Sequence, residues 1–244
     1  MKLWKRLLAI PIAASLVMGL LPAPALAEDT THSHPICGAA HANIGDHTGT
    51  CDAVTWTAWN GTSTITYDTN NTAYVYLEKD ATRESRLEVK AGYTLYLCLN
   101  GQKLESSLTS SAASQGMSQV INVSNGAKFI LCDCKGGGTI THSSGAKGKG
   151  VRVGGSDPAA ATFSMYGGTI SGNYFDGEFD RSCGAGVEIQ NGTFKMYGGT
   201  ISDNHEEYAR SNYGGGGVCA HTSGTFTTVS YTHLRAHETK ANLV

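Results

Sequence analysis

The chain has 244 residues, and its 18 lysines and arginines against 20 aspartates and glutamates leave a formal net charge of −2. This near balance excludes the strong basic patch with which proteins hold nucleic acid. The 31 glycines are accompanied by only 5 prolines, which excludes collagen and proline-rich linkers.

The first 27 residues have the features of a signal peptide. Three basic residues lie among the first six, residues 7–21 are mostly apolar, and residues 25–27 (Ala-Leu-Ala) form a small-residue cleavage site. A membrane anchor is the alternative, but the apolar run is short for a membrane span. We therefore expect a mature protein without a membrane span that is secreted or attached to the cell wall.

Residues 28–64 form a lead-in that contains cysteine and histidine. His34-x-x-Cys37 followed by His47-x-x-x-Cys51 offers two nitrogen and two sulfur ligands to a tetrahedral Zn²⁺ ion. A Cys37–Cys51 disulfide is the alternative, because an exported protein meets oxidising conditions. A third interpretation is that neither forms.

An internal repeat dominates residues 65–228. Residues 162–173 (Thr-Phe-Ser-Met-Tyr-Gly-Gly-Thr-Ile-Ser-Gly-Asn) return 31 positions later as residues 193–204. Within a repeat the hydrophobic period is two, with Phe194 and Lys195 on opposite faces, as in a β-strand. The pattern predicts three strands per repeat, at roughly 187–190, 193–197 and 199–202.

Stacking of successive repeats is expected to build the core, since one repeat alone cannot bury its apolar residues. Asn173 and Asn204, one repeat apart, are expected to form a ladder of side-chain amides at a turn. A propeller or a sandwich does not have this period. The predicted fold class is all-β, a right-handed parallel β-helix (solenoid) with a small irregular N-terminal lead-in. The predicted columns are Phe163, Phe194 and Phe226, and Ile140, Ile170 and Ile201.

Five further cysteines lie in the repeat region. Cys98, Cys132 and Cys134 fall on predicted strands, where a thiol packs as a small hydrophobic group. Cys183 and Cys219 fall in adjacent repeats, where they could form a disulfide.

The repeat motif carries a resemblance to a known architecture. The pattern Phe-x-Met-x-Gly-Gly-Thr-Ile-Ser-x-Asn, preceded by Gly-x-Gly-Val, resembles right-handed β-helix surface proteins of gut bacteria, which are broadly pectin-lyase-like. Residues 95–102 are similar to an early coil of such proteins, and residues 32–59 to their N-terminal modules. The resemblance covers about residues 30–228. It implies a secreted or wall-associated, adhesin-like protein whose partner is a glycan or the surface of a host or neighbouring cell.

Two loops of consecutive repeats supply the candidate binding residues, which we call the loop face. Stacked repeats bring these loops together, so that their charged groups could hold Ca²⁺ or a substrate and their aromatic rings could stack on sugars. The alternative is that the charges only solvate the loops and the rings cover the loop base. The loop face consists of Tyr174, Phe175, Asp176, Glu178, Asp180, Arg181, Glu206, Glu207, Tyr208 and Arg210.

A catalytic site is not evident in the repeats. Enzymes of this fold place several acids on one outer sheet, whereas the outward strand positions here are Glu188, Lys195, Ser164 and Ser202. We therefore predict a glycan-binding or surface-binding protein with no cofactor other than possible Ca²⁺ or Zn²⁺. A polysaccharide lyase or glycoside hydrolase of the same fold is the alternative, and a passive stalk is a further one.

Residues 229–244 depart from the repeat and lose its glycines. They resemble translated sequencing-adapter sequence, so we expect no function for them and expect native sequence to be missing after residue 228. A short capping helix is the alternative.

Overall fold

The computed structural model of the chain describes residues 32–36, 52–109, 118–155, 159–175, 183–207 and 215–228, and the backbone of residues 234–235. All regular structure in these residues is β-strand, and none of it forms a helix that could cross a bilayer. The predicted signal peptide and most of the tail lie outside them. In chain order the strands are β1 (Ser33–Pro35), β2 (Ala53–Thr55), β3 (Thr57–Trp59), β4 (Thr72–Leu77), β5 (Ala81–Arg83), β6 (Leu87–Val89), β7 (Thr94–Cys98), β8 (Lys103–Ser106), β9 (Ile121–Val123), β10 (Lys128–Cys132), β11 (Thr139–His142), β12 (Val151–Val153), β13 (Ala161–Met165), β14 (Thr169–Ser171), β15 (Tyr174–Phe175), β16 (Val187–Met196), β17 (Thr200–Ser202), β18 (His205–Glu206), β19 (Val218–Thr228) and β20 (Leu234–Arg235).

The strands form four sheets, in which strands of successive repeats are neighbours. β1 and β2 pair antiparallel, and we call them the N-terminal ribbon. The largest sheet has the parallel order β3-β4-β7-β10-β13-β16-β12-β9-β6, with β19 also paired to β16. A second parallel sheet has the order β20-β17-β14-β11-β8-β5, and β15 pairs with β18. This all-β arrangement of curled parallel sheets is compatible with a β-solenoid.

Strand β16 differs from the prediction in one respect. The strands predicted at 187–190 and 193–197 are joined into one strand of ten residues. Its first part pairs with β12 and its second part with β13. Gly192 lies where the two parts meet, with φ of 146°, and a Cβ there would lie 2.2 Å from the carbonyl oxygen of Ala161. Only glycine allows the strand to continue through this contact.

Side chains at equivalent repeat positions stack on one another inside the sheets. Phe129, Phe163, Phe194 and Phe226 form one column, in which successive ring centroids are 5.1, 4.4 and 5.0 Å apart. Burial of one such ring contributes about 2 kcal/mol, and a ring pair adds roughly 0.5–1.5 kcal/mol. The predicted column of phenylalanines is therefore confirmed. So is the column of isoleucines, in which the strand register aligns Ile140, Ile170 and Ile201.

Buried asparagines form the predicted ladder. Nδ2 of Asn173 donates to Oδ1 of Asn204 at 2.9 Å, and Nδ2 of Asn204 donates to the carbonyl oxygen of Ile170 at 2.8 Å. A Cβ on Gly186 would lie 2.8 Å from Nδ2 of Asn204. This close approach explains the second glycine of the Gly-x-Gly-Val motif.

The first strands of the large sheet come from the segment that the sequence analysis assigns to the lead-in. β3 pairs in parallel with β4, so the stacked strands begin at Thr57. Trp59 is buried in the main apolar core. Trp56 lies in a separate cluster with Cys98 and Cys132. Two tryptophans three positions apart therefore pack in different apolar clusters.

The phenylalanine column predicts that substitutions at two adjacent residues, Phe194 and Lys195, differ sharply in their effect on stability. Phe194 is fully buried and Lys195 is exposed on the other face of the same strand. We expect Phe194→Ala to lower the free energy of unfolding by about 3–5 kcal/mol, and Lys195→Ala to change it by less than about 0.5 kcal/mol. Urea unfolding followed by circular dichroism measures both, and similar losses in the two variants would contradict the stacked core.

Candidate functional site

Four residues of the loop face are described by the structure. The parallel pairing of β15 with β18 sets Tyr174 beside His205 and Phe175 beside Glu206. Stacking of repeats thus brings the two loops together at their starts, as expected, and the Tyr174 and His205 rings lie 5.4 Å apart. Glu207 follows Glu206 and is exposed. The remaining loop-face residues lie outside the described ranges: Asp176, Glu178, Asp180, Arg181, Tyr208 and Arg210.

Glu206 is a buried carboxyl group at the base of the loop face. Burial raises its pKa to about 7, although the backbone N–H of Gly184 donates to Oε2 at 3.1 Å and Lys149 contributes a positive charge. The group therefore changes charge near neutral pH, unlike an ordinary surface glutamate.

Glu188 lies close to this carboxyl group and behaves in the opposite way. Its Oε2 is 2.8 Å from Nζ of Lys149 and 3.6 Å from Nε of Arg152, and its Oε1 is 3.1 Å from Nε2 of His221. Burial opposes its ionisation, but the His221 hydrogen bond and the Lys149 charge outweigh burial and hold its pKa at about 2. Glu188 is only 1 % exposed. A carboxylate so enclosed by cations joins neighbouring repeats and is not placed to meet a substrate.

Lys149 is a contributor to this cluster that the sequence analysis did not single out. It occupies the variable place of the Gly-x-Gly-Val motif, where the next repeat has Ala185, and both positions are buried. Its ammonium group lies 4.4 Å from the ring centre of Phe175. Aligning the repeats could have revealed this role. Lys149 aligns with an alanine in the next repeat, and a lysine at a position where the equivalent residue is buried needs an anionic partner.

Cys183 and Cys219 pair with each other, which the sequence left open as a possibility. The two residues form a disulfide with a Cα–Cα distance of 5.7 Å. Cys219 is in register with Glu188 across β16 and β19, so the covalent link lies beside the ion pairs. The disulfide and the contact between Glu188 and His221 both link neighbouring repeats.

A cleft of about 590 Å³ opens near the first strands of the large sheet. The rings of Tyr67 and Tyr93 meet there edge to face, with centroids 4.8 Å apart. Burial and the neighbouring Tyr93 raise the pKa of Tyr67 to about 12, so its phenol remains a hydrogen-bond donor. Hydroxyl, amide and charged groups surround the two rings: Thr62, Ser63, Thr64, Asp68, Asn71, Arg83, Ser85, Arg86, Glu88 and Lys90.

Glu88 contributes a carboxylate with a fixed orientation to the lining of this cleft. Its Oε2 lies 2.8 Å from Nε of Arg86, and its Oε1 accepts from Nδ2 of Asn122 at 2.7 Å and from the hydroxyl of Ser124. The carboxylate is therefore oriented before any ligand arrives. The sequence analysis missed this cleft because Tyr67 and Tyr93 belong to irregular segments outside the repeat motif.

His34 is the only predicted zinc ligand within the described residues, since Cys37, His47 and Cys51 lie outside them. Its neighbours are His32, Cys98 and Cys134, and one ligand atom from each of the four lies within 4.8 Å of the others. We call these four residues the His–Cys cluster. The hydrogen bond to Cys132, together with burial, raises the pKa of Cys98 to about 12. Burial lowers the pKa of His32, which favours the neutral imidazole.

Comparison of the chain with protein-family models, with curated proteins and with solved structures found no match.

The raised pKa of Glu206 predicts how stability varies with pH. Because its pKa rises from 4.5 to about 7 on folding, its contribution is complete below pH 4.5 and is lost as pH rises through 7. We expect the melting temperature to fall between pH 5 and pH 8, and Glu206→Gln to remove at most about 3 kcal/mol of this dependence. Differential scanning fluorimetry across the range measures it.

Glu207→Gln is the matched control, because Glu207 is the exposed neighbour. It should keep the wild-type pH profile. The side chains around Glu206 are the same in both variants, so their contribution cancels in the comparison. Equal profiles for Glu206→Gln and wild type would show that Glu206 does not titrate as described.

Proposed function

We propose that this protein is an exported, cell-surface or secreted right-handed β-helix of pectin-lyase-like architecture that binds a glycan in the cleft at Tyr67 and Tyr93. The stacked parallel sheets support the architecture, and the basic and apolar start of the chain supports export. The observation that carries the binding proposal is the combination, in one cleft, of two tyrosine rings with a ring of hydroxyl and charged groups.

The chemistry of the cleft matches a saccharide better than an apolar ligand. A sugar ring presents C–H groups that pack on an aromatic face and hydroxyl groups that both donate and accept hydrogen bonds. Tyr67 and Tyr93 supply the rings, and the apolar contact is limited to Ile65 and Leu87. A volume of about 590 Å³ lies within the range of small-ligand sites.

Polar groups in the cleft are held in place by other protein groups. Oδ1 of Asp68 accepts from the backbone N–H groups of Asn70 and Thr72, both at 2.8 Å. Nε of Arg86 faces Glu88, and the guanidinium carries further N–H donors that can reach a sugar hydroxyl. Side chains that are already ordered lose less entropy when a ligand binds.

A polysaccharide-cleaving enzyme is the second candidate, and one observation favours it. Glu188 and Glu206 have pKa values of about 2 and about 7, and hydrolases use carboxyl groups separated in this way as base and acid. The burial of both groups and the ion pairs around Glu188 weigh against it. We therefore rank binding first.

The binding proposal is tested on a glycan array with the chain from residue 28 onward, followed by calorimetry with the best ligand. Tyr67→Ala removes a ring from the cleft, and we expect it to weaken binding at least tenfold, about 1.4 kcal/mol. Tyr67→Phe keeps the ring and should weaken glycan binding less than Tyr67→Ala does. Circular dichroism confirms that each variant retains the β-sheet spectrum.

Tyr174→Ala is the matched control, because Tyr174 is a half-buried tyrosine on the loop face and outside the cleft. It should bind as the wild type does. Loss of binding in Tyr174→Ala alone would move the site to the loop face. Release of reducing or unsaturated sugars from a bound polysaccharide would establish the enzyme, and the absence of both binding and release would leave a passive stalk.

A further inference from the structure

The N-terminal ribbon brings two histidines to the outer side of the large sheet. The backbone N–H of Trp56 donates to the carbonyl oxygen of His32 at 2.8 Å, and its indole N–H donates to the carbonyl oxygen of His34 at 3.0 Å. The His32 ring stacks on Tyr76 with centroids 4.0 Å apart, and the His34 ring stacks on Trp56 at 4.5 Å. Both imidazoles are thus oriented by aromatic neighbours.

The sheet supplies two thiols at the same place. Cys98 ends β7 and is fully buried, and it is in register with Tyr76 on one side and with Cys132 on the other. Cys134 follows β10 and is half-buried, with its Sγ 3.6 Å from Oδ1 of Asn100. Two successive strands of the stack therefore present sulfur atoms to the histidines of the ribbon.

The tautomer of His34 leaves a lone pair directed into the cluster. Its Nδ1 lies 2.7 Å from the carbonyl oxygen of Pro35, and because a carbonyl oxygen only accepts, Nδ1 carries the hydrogen. Nε2 then carries the lone pair, and this buried atom has the thiol of Cys134 as its hydrogen-bonding neighbour. A metal-binding histidine commonly donates its other N–H to a backbone carbonyl in this way.

We infer that His32, His34, Cys98 and Cys134 form a structural Zn²⁺ site that fastens the N-terminal ribbon to the sheet. Two imidazole nitrogens and two thiolates are a common ligand set for a closed, tetrahedral zinc site, and thiolates select zinc over calcium or magnesium. This set shares only His34 with the ligands predicted from sequence.

The distances suit such an ion. A tetrahedral Zn²⁺ with ordinary bond lengths separates a nitrogen from a sulfur ligand by about 3.6 Å. Sγ of Cys134 lies 3.5 Å from Nε2 of His32. No pair of ligand atoms is more than 4.8 Å apart, so the widest pair has to close by about 1 Å.

The charges balance when the ion binds. Cys98 and Cys134 each lose a proton to solvent, and the two thiolates neutralise the two charges of Zn²⁺. The imidazoles bind as neutral ligands. The complex therefore carries no net charge, which makes it suitable for a site where Cys98 is fully buried.

The test uses the chain from residue 28 onward, purified with a reductant mild enough to leave the Cys183–Cys219 disulfide closed and loaded with Zn²⁺ or Co²⁺. We expect one metal ion per chain by elemental analysis. Bound Co²⁺ should show the intense visible bands of tetrahedral coordination and thiolate charge-transfer absorption in the near ultraviolet. Zinc should also raise the melting temperature of the wild type.

Cys134→Ser is the main variant, because Cys134 is only half-buried and its loss does not open the core. It should weaken zinc binding at least 100-fold in competition with a chelating dye, and it should remove most of the rise in melting temperature. His34→Ala is the second variant, which tests the site without altering a cysteine.

Two controls separate this site from its rivals. Cys132→Ser removes the neighbouring buried thiol that we leave out of the ligand set, and the Cys37→Ser/Cys51→Ser double variant removes the alternative ligands. Both should bind zinc as the wild type does. Zinc binding that is lost in the double variant and kept in Cys134→Ser would overturn the inference. So would a disulfide among Cys98, Cys132 and Cys134 that forms in place of metal binding, or a cobalt spectrum without thiolate bands.

Discussion

The fold depends on one constraint, which is that residues one repeat apart lie directly beside each other in parallel register. This register sets the ring centroids of Phe163 and Phe194 4.4 Å apart. It also brings the amides of Asn173 and Asn204 within hydrogen-bonding distance, at 2.9 Å. Each repeat has no core of its own, so its apolar side chains are buried only by its neighbours. Like residues therefore recur at like positions, and Gly186 leaves the space that the amide of Asn204 needs.

The same register governs the outer face, where it brings charges together. Glu88, Asn122, Arg152, Glu188 and Cys219 follow one another across five adjacent strand segments. Like charges at this spacing repel, and here each glutamate is next to an amide, a guanidinium or a cysteine. Along this row no glutamate is in register with another acidic residue. Lys149 extends this pattern, because it enters a buried position and finds Glu188 there.

The two proposed sites both use side chains that the repeat does not impose. Tyr67 and Tyr93 come from irregular segments at the cleft, and His32 and His34 come from the N-terminal ribbon. Regular repeats provide a rigid surface, and the segments that pack on its first strands provide the varied chemistry. A binding role for this end of the molecule and a metal ion that anchors the ribbon beside it are consistent with each other and do not depend on each other.

The sequence by itself determined the strand period and the residues that stack, because the recurring motif, repeated after 31 positions in residues 162–173 and 193–204, identifies the equivalent residues of each repeat. It left the pairing of Cys183 with Cys219 open as a possibility. Only the tertiary structure decided which residues meet outside that interval. The sequence-based zinc site combined His34 with Cys37, His47 and Cys51, which are near it in the chain. The structure instead sets His34 beside Cys98 and Cys134. The physical reason is that register is transmitted by strand pairing between like repeats, while a ribbon that packs through aromatic stacking has no periodic partner to identify.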